Sequence, residues 1–241
     1  MIFNIISLFP DMFPGNLGQS LSGKALDRGR WSYTVTNPRE FGDGVHKAVD
    51  DTPYGGGAGM VMRADILEKA LLSVQTQNPL KQTRKIYLSP RGRLLNQSLV
   101  QELSKSEELV LLCGRYEGVD QRFLDAHDFE EISIGDYVLS GGEPAAMILM
   151  DACIRLLPGV MGNTQTSAEE SHTPSAEHPK GLLEYPHYTK PAQWQDVNGT
   201  THTVPDVLTS GHHANIELWR HEQSIELTRS RRPDLLKKDT L

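Results

Sequence analysis

Three glycine-rich loops, each joined to a short apolar run, constrain the fold of this chain more than any other feature of its sequence. The three passages from strand to loop are Ile86–Gly92, Val110–Gly118 and Ser133–Glu143. Glycine lets backbone amides approach a bound molecule closely, because it carries no side chain. Each loop taken alone is typical of an ordinary turn between a strand and a helix. All three in this order predict loops that converge on one small molecule.

The first 160 residues alternate short apolar runs with amphipathic helical patterns, which is typical of the α/β class. The predicted strands are Ile2–Leu8, Ser32–Thr36, Lys85–Leu88, Leu109–Cys113 and Glu131–Ile134. The predicted helices are Arg63–Val74, Asn96–Leu103 and Pro144–Leu157. Pro158 and Gly159 are expected to stop the last helix.

A change of composition divides the chain into three parts. Residues 162–181 are almost wholly polar and contain two prolines, which predicts a linker that is mobile in the absence of a partner. The region after it carries a helical pattern from Ala214 to Leu227. We therefore predict a domain over residues 1–161, a flexible linker over 162–181 and a small, mostly helical domain over 182–241.

Composition argues against several classes of protein. No stretch is long enough to span a membrane, and the apolar N-terminus is too short for a signal peptide, so we expect a cytoplasmic protein. Cys113 and Cys153 are too few for a disulfide framework. His212, His213 and His221 lie close in sequence, but no carboxylate or cysteine stands at ligand spacing, so we predict no metal site.

The charge balance argues mildly against nucleic-acid binding. The net charge is −7, whereas phosphate contacts normally demand a basic surface. Cations do cluster late in the chain, where they offer a local basic region. They are Arg229, Arg231, Arg232, Lys237 and Lys238.

A separate glycine cluster spans Pro53–Met60. It lacks the Gly-Lys-Ser/Thr ending of a phosphate-binding loop, which argues against nucleoside triphosphate hydrolysis. Asp50, Asp51 and His46 place polar groups beside bare backbone, and this suits recognition of a flat polar base. The alternative interpretation is a flexible turn.

The three loops require a ligand that is recognised mainly by backbone groups. A dinucleotide-binding Rossmann site would need Gly-x-Gly-x-x-Gly between an early strand and helix, and that pattern is absent. S-adenosylmethionine fits the loops, since its adenine offers ring nitrogens and an amino group to peptide N–H and C=O groups.

In wording and order these segments resemble the bacterial tRNA (guanine-N1)-methyltransferases, a family of the knotted SPOUT class. The resemblance runs from Ile5–Pro10 to Arg231–Leu236. It implies a parallel-sheet α/β domain with a trefoil knot, followed by a C-terminal domain that binds tRNA. It also implies a homodimer whose active sites form where two N-terminal domains meet.

The resemblance also implies which residues bind the ligands. The substrate would be tRNA with a guanosine 3′ of the anticodon (position 37) and another guanosine before it, and the family uses magnesium in catalysis. The implied substrate residues are His46, Asp50, Gly55, Gly56 and Gly59. The implied S-adenosylmethionine residues are Leu88, Ser89, Pro90, Gly114, Tyr116, Glu117, Ile134, Gly135, Asp136, Tyr137, Val138, Leu139, Gly141 and Gly142. Of these, Glu117 would balance the cationic methionyl end or the sulfonium.

Methylation of guanine N1 needs a base and a cation. A carboxylate within hydrogen-bond reach can remove the N1 proton, and a cation at O6 stabilises the charge that develops. The resemblance assigns the O6 contact to Arg155. The alternatives for this arginine, which lies among apolar residues, are a snorkelling side chain or an ion pair with Asp151.

The family's base is an aspartate in the linker, ahead of a Gly-Leu-Leu-Glu segment. The matching text here is Glu169–His172 followed by Gly181–Pro191, so Glu170 replaces the aspartate and the spacer is longer. The reference pKa of glutamate is only about 0.4 units above that of aspartate, so basicity is kept. Glu170 is the predicted base, and Glu169 is the alternative.

Two other functions are compatible with the same residues. One is a SPOUT methyltransferase that acts on another RNA site, although the Pro53–Met60 cluster and the C-terminal domain argue against it. The other is a catalytically inactive RNA-binding protein, for which the change from aspartate to Glu170 is the only support.

Overall fold

The apolar runs of the first 160 residues form a five-stranded parallel sheet, in a computed structural model that describes residues 1–74, 83–161, 170–175 and 177–236. In chain order the strands are β1 (Ile2–Ile6), β2 (Ser32–Thr36), β3 (Asp50–Asp51), β4 (Val61–Met62), β5 (Arg84–Leu94), β6 (Glu108–Cys113) and β7 (Glu130–Ser133). The order across the sheet is β2-β1-β6-β5-β7, while β3 and β4 form a separate antiparallel pair. The predicted α/β class is therefore confirmed.

Three strands stop at different residues from those predicted, and one of them, β7, stops at Ser133 instead of Ile134. Strand β1 stops at Ile6 because Ser7 turns inward, where its hydroxyl accepts a hydrogen bond from the Phe9 N–H at 3.0 Å. Strand β5 continues to Leu94 and shifts its register against β7. As a result, Ile132 is the pairing partner of both Leu88 and Arg93.

Five α-helices belong to the described part of this sheet domain. They are α1 (Ser20–Asp27), α2 (Ala64–Ser73), α3 (Gln97–Leu103), α4 (Gln121–Ala126) and α5 (Glu143–Ile154). Helices α1 and α4 are not among those predicted. Helix α5 ends before the predicted Leu157 because the last N–H groups ahead of Pro158 bond three residues back, in a tighter turn.

Both faces of the sheet are buried. Alternate residues of β6 point to opposite faces, so Leu109 and Leu111 belong to one apolar cluster, and Val110 and Leu112 belong to the other. Helices α3 and α5 contribute to the first cluster, and α2 and α4 contribute to the second. A parallel sheet covered on both faces leaves its strand ends as the accessible ligand site.

The chain divides into two compact units, Met1–Gly162 and Asn163–Leu241. The second contains a hairpin of β8 (Gln193–Gln195) and β9 (Thr201–Thr203), a short helix Asp206–Thr209 and a long helix His213–Arg231. The predicted helical pattern thus lies within a helix that is longer than predicted.

The described part of the predicted linker is bonded into the second unit. The N–H of His172 donates to the Leu182 carbonyl at 2.9 Å, and the N–H of Glu184 donates to Ser171 Oγ at 2.9 Å. The Leu183 N–H donates to the buried hydroxyl of Thr228 on the long helix at 2.9 Å. Residues 162–169 and 176 of the predicted linker, which include Glu169, lie outside the described residues.

Candidate active site

The first glycine-containing passage lies within β5 at its register shift, whereas the second and third follow β6 and β7, and all three border a cavity of about 270 Å³. These strands are neighbours in the parallel sheet, so their carboxyl ends share one edge, where open α/β sheets bind ligands. All the predicted cofactor residues line the cavity except Asp136, which is exposed beside it in the chain. The lining residues among them are Leu88, Ser89, Pro90, Gly114, Tyr116, Glu117, Ile134, Gly135, Tyr137, Val138, Leu139, Gly141 and Gly142.

Backbone hydrogen bonds hold the second and third loops against each other. The N–H of Gly142 donates to the Gly114 carbonyl at 2.9 Å. Within the third loop, the Ser133 hydroxyl donates to the Gly135 carbonyl at 3.0 Å, and the Tyr137 N–H donates to the same carbonyl at 2.9 Å. Gly135 has a φ of +150°, a backbone conformation that side chains rarely adopt. These hydrogen bonds fix backbone groups at the cavity wall, which also carries side chains such as Tyr116, Val138 and Leu139.

Several glycines stand where no larger residue fits. A Cβ on Gly142 would lie 2.8 Å from the Cα of Cys113, which is backbone at the end of a buried strand. A Cβ on Gly114 would lie 2.7 Å from the ring of Tyr87, and one on Gly141 would overlap the guanidinium of Arg115. The absence of side chains at these glycines allows the loops to pack closely against each other beside the cavity.

An ion pair links the second loop to the first turn of helix α5. Arg115 Nη2 lies 2.8 Å from Glu143 Oε2, and the Glu143 side chain is fully buried at the first turn of α5. Glu143 also accepts a hydrogen bond from Ser7 at 2.7 Å, while the Arg115 guanidinium lies 4.2 Å from the centre of the Phe9 ring. A carboxylate is favoured at a helix N-terminus, where unpaired N–H groups point outward.

Sequence reasoning missed this ion pair. Arg115 is not among the predicted site residues, yet its side chain is only 18% exposed. Sequence reasoning took Glu143 as the end of the loop and Ser7 as part of a strand. The available signal was an acidic residue directly after the Gly141–Gly142 pair at the start of an apolar helix, a position that suits a buried capping carboxylate.

The predicted substrate residues lie next to the second loop. Met60, at the end of the Pro53–Met60 cluster, accepts a hydrogen bond from the Glu117 N–H at 2.9 Å. A Cβ on Gly59 would overlap the Glu117 side chain. Gly55 and Gly56 also have positive φ and face open space. The cluster is therefore fixed at one end to the cavity loop and exposed along the rest.

Asp50 connects the two predicted sites. Burial raises the pKa of the Tyr116 hydroxyl, and the nearby Asp50 carboxylate, which is hydrogen-bonded to it, raises it further against the effect of Arg39. Tyr116 itself has a φ of +59° and lines the cavity. His46 lies in an exposed loop closed by the paired residues Asp43 and Ala48.

Arg155 lies at the other end of α5 from the cavity. Gly142 is the N-cap and Arg155 the C-cap of this helix, so the helix length separates them by roughly 20 Å. Arg155 lines a separate groove with Asp151, Gln19 and Val160. Within one chain, the structure does not bring Arg155 to the cofactor loops.

Glu170 belongs to the second unit, where it is half-buried. Its carbonyl accepts a hydrogen bond from the Thr173 N–H at 3.2 Å. It lines a cavity of about 570 Å³ together with Glu177, Glu217 and Arg220. The predicted base is thus held on a folded segment of that unit.

The described residues contain neither a cluster of metal ligands nor a helix suited to span a membrane. Among them, no group of three or more His, Cys, Asp and Glu side chains is arranged to hold a metal ion. No helix in the same part of the chain combines the length and the apolar character that crossing a membrane requires.

Both cysteines are expected to resist alkylation in the folded protein. Burial raises the pKa of the Cys113 thiol well above its usual range, with a further contribution from Glu143, and burial raises the pKa of Cys153 to about 12. At pH 8 about one Cys153 side chain in 10,000 would then be the reactive thiolate. Mass spectrometry after iodoacetamide treatment should detect no adduct on native protein and two on unfolded protein. Rapid native labelling of Cys113 would contradict the packing of the second loop.

Comparison with known proteins gives a consistent match along the whole chain. The model of the family described as tRNA (Guanine-1)-methyltransferase TrmD matches residues 1–238. A protein of Rhodospirillum rubrum named tRNA (guanine-N(1)-)-methyltransferase is 54% identical over 232 residues, covering 96% of this chain and 90% of that protein. Proteins of the same name from Rhizobium etli and Wolbachia pipientis are each 51% identical, over 97% and 98% of this chain and 94% and 97% of their own lengths.

Proposed function

The chain belongs to the tRNA (guanine-1)-methyltransferase family, and from that premise we propose that it moves a methyl group from S-adenosylmethionine to N1 of guanosine 37, immediately 3′ of the tRNA anticodon. One observation carries the proposal. Three glycine-containing segments converge on a single cavity, and a Cβ on Gly114, Gly141 or Gly142 of its wall would clash with a neighbouring segment. We also propose that the enzyme is cytoplasmic.

The cavity suits S-adenosylmethionine in its chemistry. Its wall offers peptide N–H and C=O groups for the adenine, and Glu117 supplies a carboxylate for the cationic end of the molecule. When bound, S-adenosylmethionine supplies an electrophilic methyl group on a sulfonium. The loops would hold that methyl group in line with guanine N1, and holding the reacting atoms in this geometry lowers the activation barrier.

The proposed base is Glu170. Guanine N1 is protonated at neutral pH, so its lone pair becomes available only after the proton leaves. The Glu170 carboxylate would accept this proton, and the Arg155 guanidinium would donate to O6, where negative charge accumulates. We derive no step through a magnesium ion, since the described residues offer no cluster of metal ligands.

We propose that the active site is shared between two copies of the chain. Arg155 lies one helix length from the cofactor loops of its own chain, so it reaches a target base there only through a second subunit. Helix α5 is apolar on most of its surface, yet Ile148 on it is 48% exposed. An apolar helix face left open in this way favours a partner, and Leu21 of α1 is similarly exposed.

The direct test is transfer of a labelled methyl group from S-adenosylmethionine to an unmodified tRNA transcript with guanosines at positions 36 and 37. The proposal predicts incorporation into this transcript and none into a matched transcript with adenosine at position 37. Binding of both ligands without incorporation would favour the inactive RNA-binding alternative. Equal incorporation into both transcripts would favour another RNA site.

A further inference from the structure

An exposed aromatic pair lies on the hairpin of the second unit. The rings of Trp194 and His202 are stacked, with centroids 5.0 Å apart and planes 23° apart. They face each other across the two strands, in register. Trp194 is 54% exposed, a large fraction for a residue type that is highly buried on average. One face of this indole therefore packs on His202, and much of the residue remains in solvent.

The hairpin holds this pair rigidly. Asp196 Oδ1 accepts hydrogen bonds from the N–H groups of Asn198 and Thr200, both at 2.9 Å, which closes the turn. Asp196 Oδ2 lies 3.2 Å from His202 Nε2, and this hydrogen bond is the main reason that the pKa of Asp196 is lowered. Both oxygens of the Asp196 carboxylate therefore have hydrogen-bond partners within the hairpin.

The aromatic pair borders a cavity of about 420 Å³ formed with residues 187–192. This volume lies in the range of small-molecule sites and exceeds what one nucleobase needs. Among the residues that line it, the ionisable ones are His187, Tyr188, Lys190 and His202, and no carboxylate is present. Tyr188 is 47% exposed and adds a second ring.

The other large cavity of this unit differs in charge. It is lined by Glu170, Glu177 and Glu217 together with one arginine, Arg220, so its excess of carboxylates would oppose a phosphate group placed there. Within a chain of net charge −7, the cavity beside Trp194 combines stacking surface with a cation and without an acid.

We propose that this cavity binds one unpaired nucleotide of the tRNA substrate, an inference that rests on the proposed function. The base would stack on Trp194 and the adjoining phosphate would contact Lys190. Unpaired RNA bases are recognised in this way, by aromatic faces together with backbone cations. A site of this kind increases tRNA affinity without participating in methyl transfer.

The test compares tRNA binding and turnover in wild type and in Trp194→Ala. Loss of one base–aromatic stack predicts a Kd for tRNA about 5- to 150-fold higher, with an increased KM, an unchanged kcat and unchanged S-adenosylmethionine binding. Trp194→Phe keeps a stacking ring and should restore most of the affinity. Val197→Ala is the matched control, because Val197 is fully exposed in the turn of the same hairpin.

Salt dependence separates stacking from charge. Lys190→Ala should reduce the slope of log Kd against log salt by about one, whereas Trp194→Ala should leave that slope unchanged. An active enzyme whose tRNA affinity is the same with and without Trp194 would overturn this site alone. A wild type that binds tRNA through Trp194 yet transfers no methyl group would overturn the proposed function and leave the site standing.

Discussion

Glu170→Gln is expected to reduce kcat for methyl transfer by about 10²- to 10⁴-fold, which is the range for removing a general base. Glutamine has nearly the same shape but cannot accept the N1 proton at neutral pH. The segment that carries Glu170 stays attached to the second unit through Ser171 and Thr228, so the loss would be chemical. Single-turnover kinetics with bound tRNA would measure it free of product release.

Glu177→Gln supplies the matched control, because Glu177 lines the same cavity as Glu170 and has no proposed role in proton transfer. Its kcat should equal that of the wild type. Glu169→Gln tests the alternative base predicted from the sequence. Full activity in Glu170→Gln, with activity lost in Glu169→Gln, would identify Glu169 as the base instead of Glu170.

Gly142→Ala is expected to weaken S-adenosylmethionine binding by about 5- to 150-fold, together with a measurable loss of stability. Its φ is −79°, so alanine suits the backbone, and the difficulty is space alone. The new Cβ would lie 2.8 Å from the Cα of Cys113, which is backbone and cannot rotate away. Overpacking of this kind costs about 1–3 kcal/mol, which corresponds to that range of affinity if the strain separates the loops.

Calorimetric titration with S-adenosylmethionine would measure this loss. Val197→Ala is the control, because Val197 is fully exposed in the hairpin of the second unit and does not line this cavity. Wild-type affinity in Gly142→Ala would show that the cavity is not the cofactor site.

The two variants together test the shared active site. In a 1:1 mixture that exchanges subunits at random, half of the dimers pair Glu170→Gln with Gly142→Ala. If Glu170 serves the cofactor held by the other subunit, one site in each such dimer is intact, and about a quarter of the wild-type rate returns at an S-adenosylmethionine concentration too low to fill the Gly142→Ala sites. No recovery is possible if each site uses its own chain's Glu170.

The sheet was predictable because parallel strands buried on both faces are short continuous apolar runs. Lys85–Leu88 and Leu109–Cys113 could be recognised in this way, and their neighbouring loops could be placed at one edge without knowing the strand order. Helix α4 was not predictable. It has only six residues, and its Phe123 and Leu124 become apolar contacts only once the sheet is formed.

The contacts of Glu143 with Ser7 and Arg115 could not be predicted from the sequence. Ser7 and Glu143 are 136 positions apart, and nothing local indicates that they hydrogen-bond. The separation of Arg155 from the loops was already contained in the predicted helix Pro144–Leu157, which places Arg155 near the end away from Gly142. The glycine positions were also informative, because their role is local backbone geometry.

The most direct measurement is the identity and position of the methylated nucleoside in a tRNA incubated with the wild-type protein and S-adenosylmethionine. Nuclease digestion followed by mass spectrometry of the fragments would give both. The proposed function predicts one 1-methylguanosine per tRNA, at position 37. A methyl group on a ribose, on another base or at another position would contradict it.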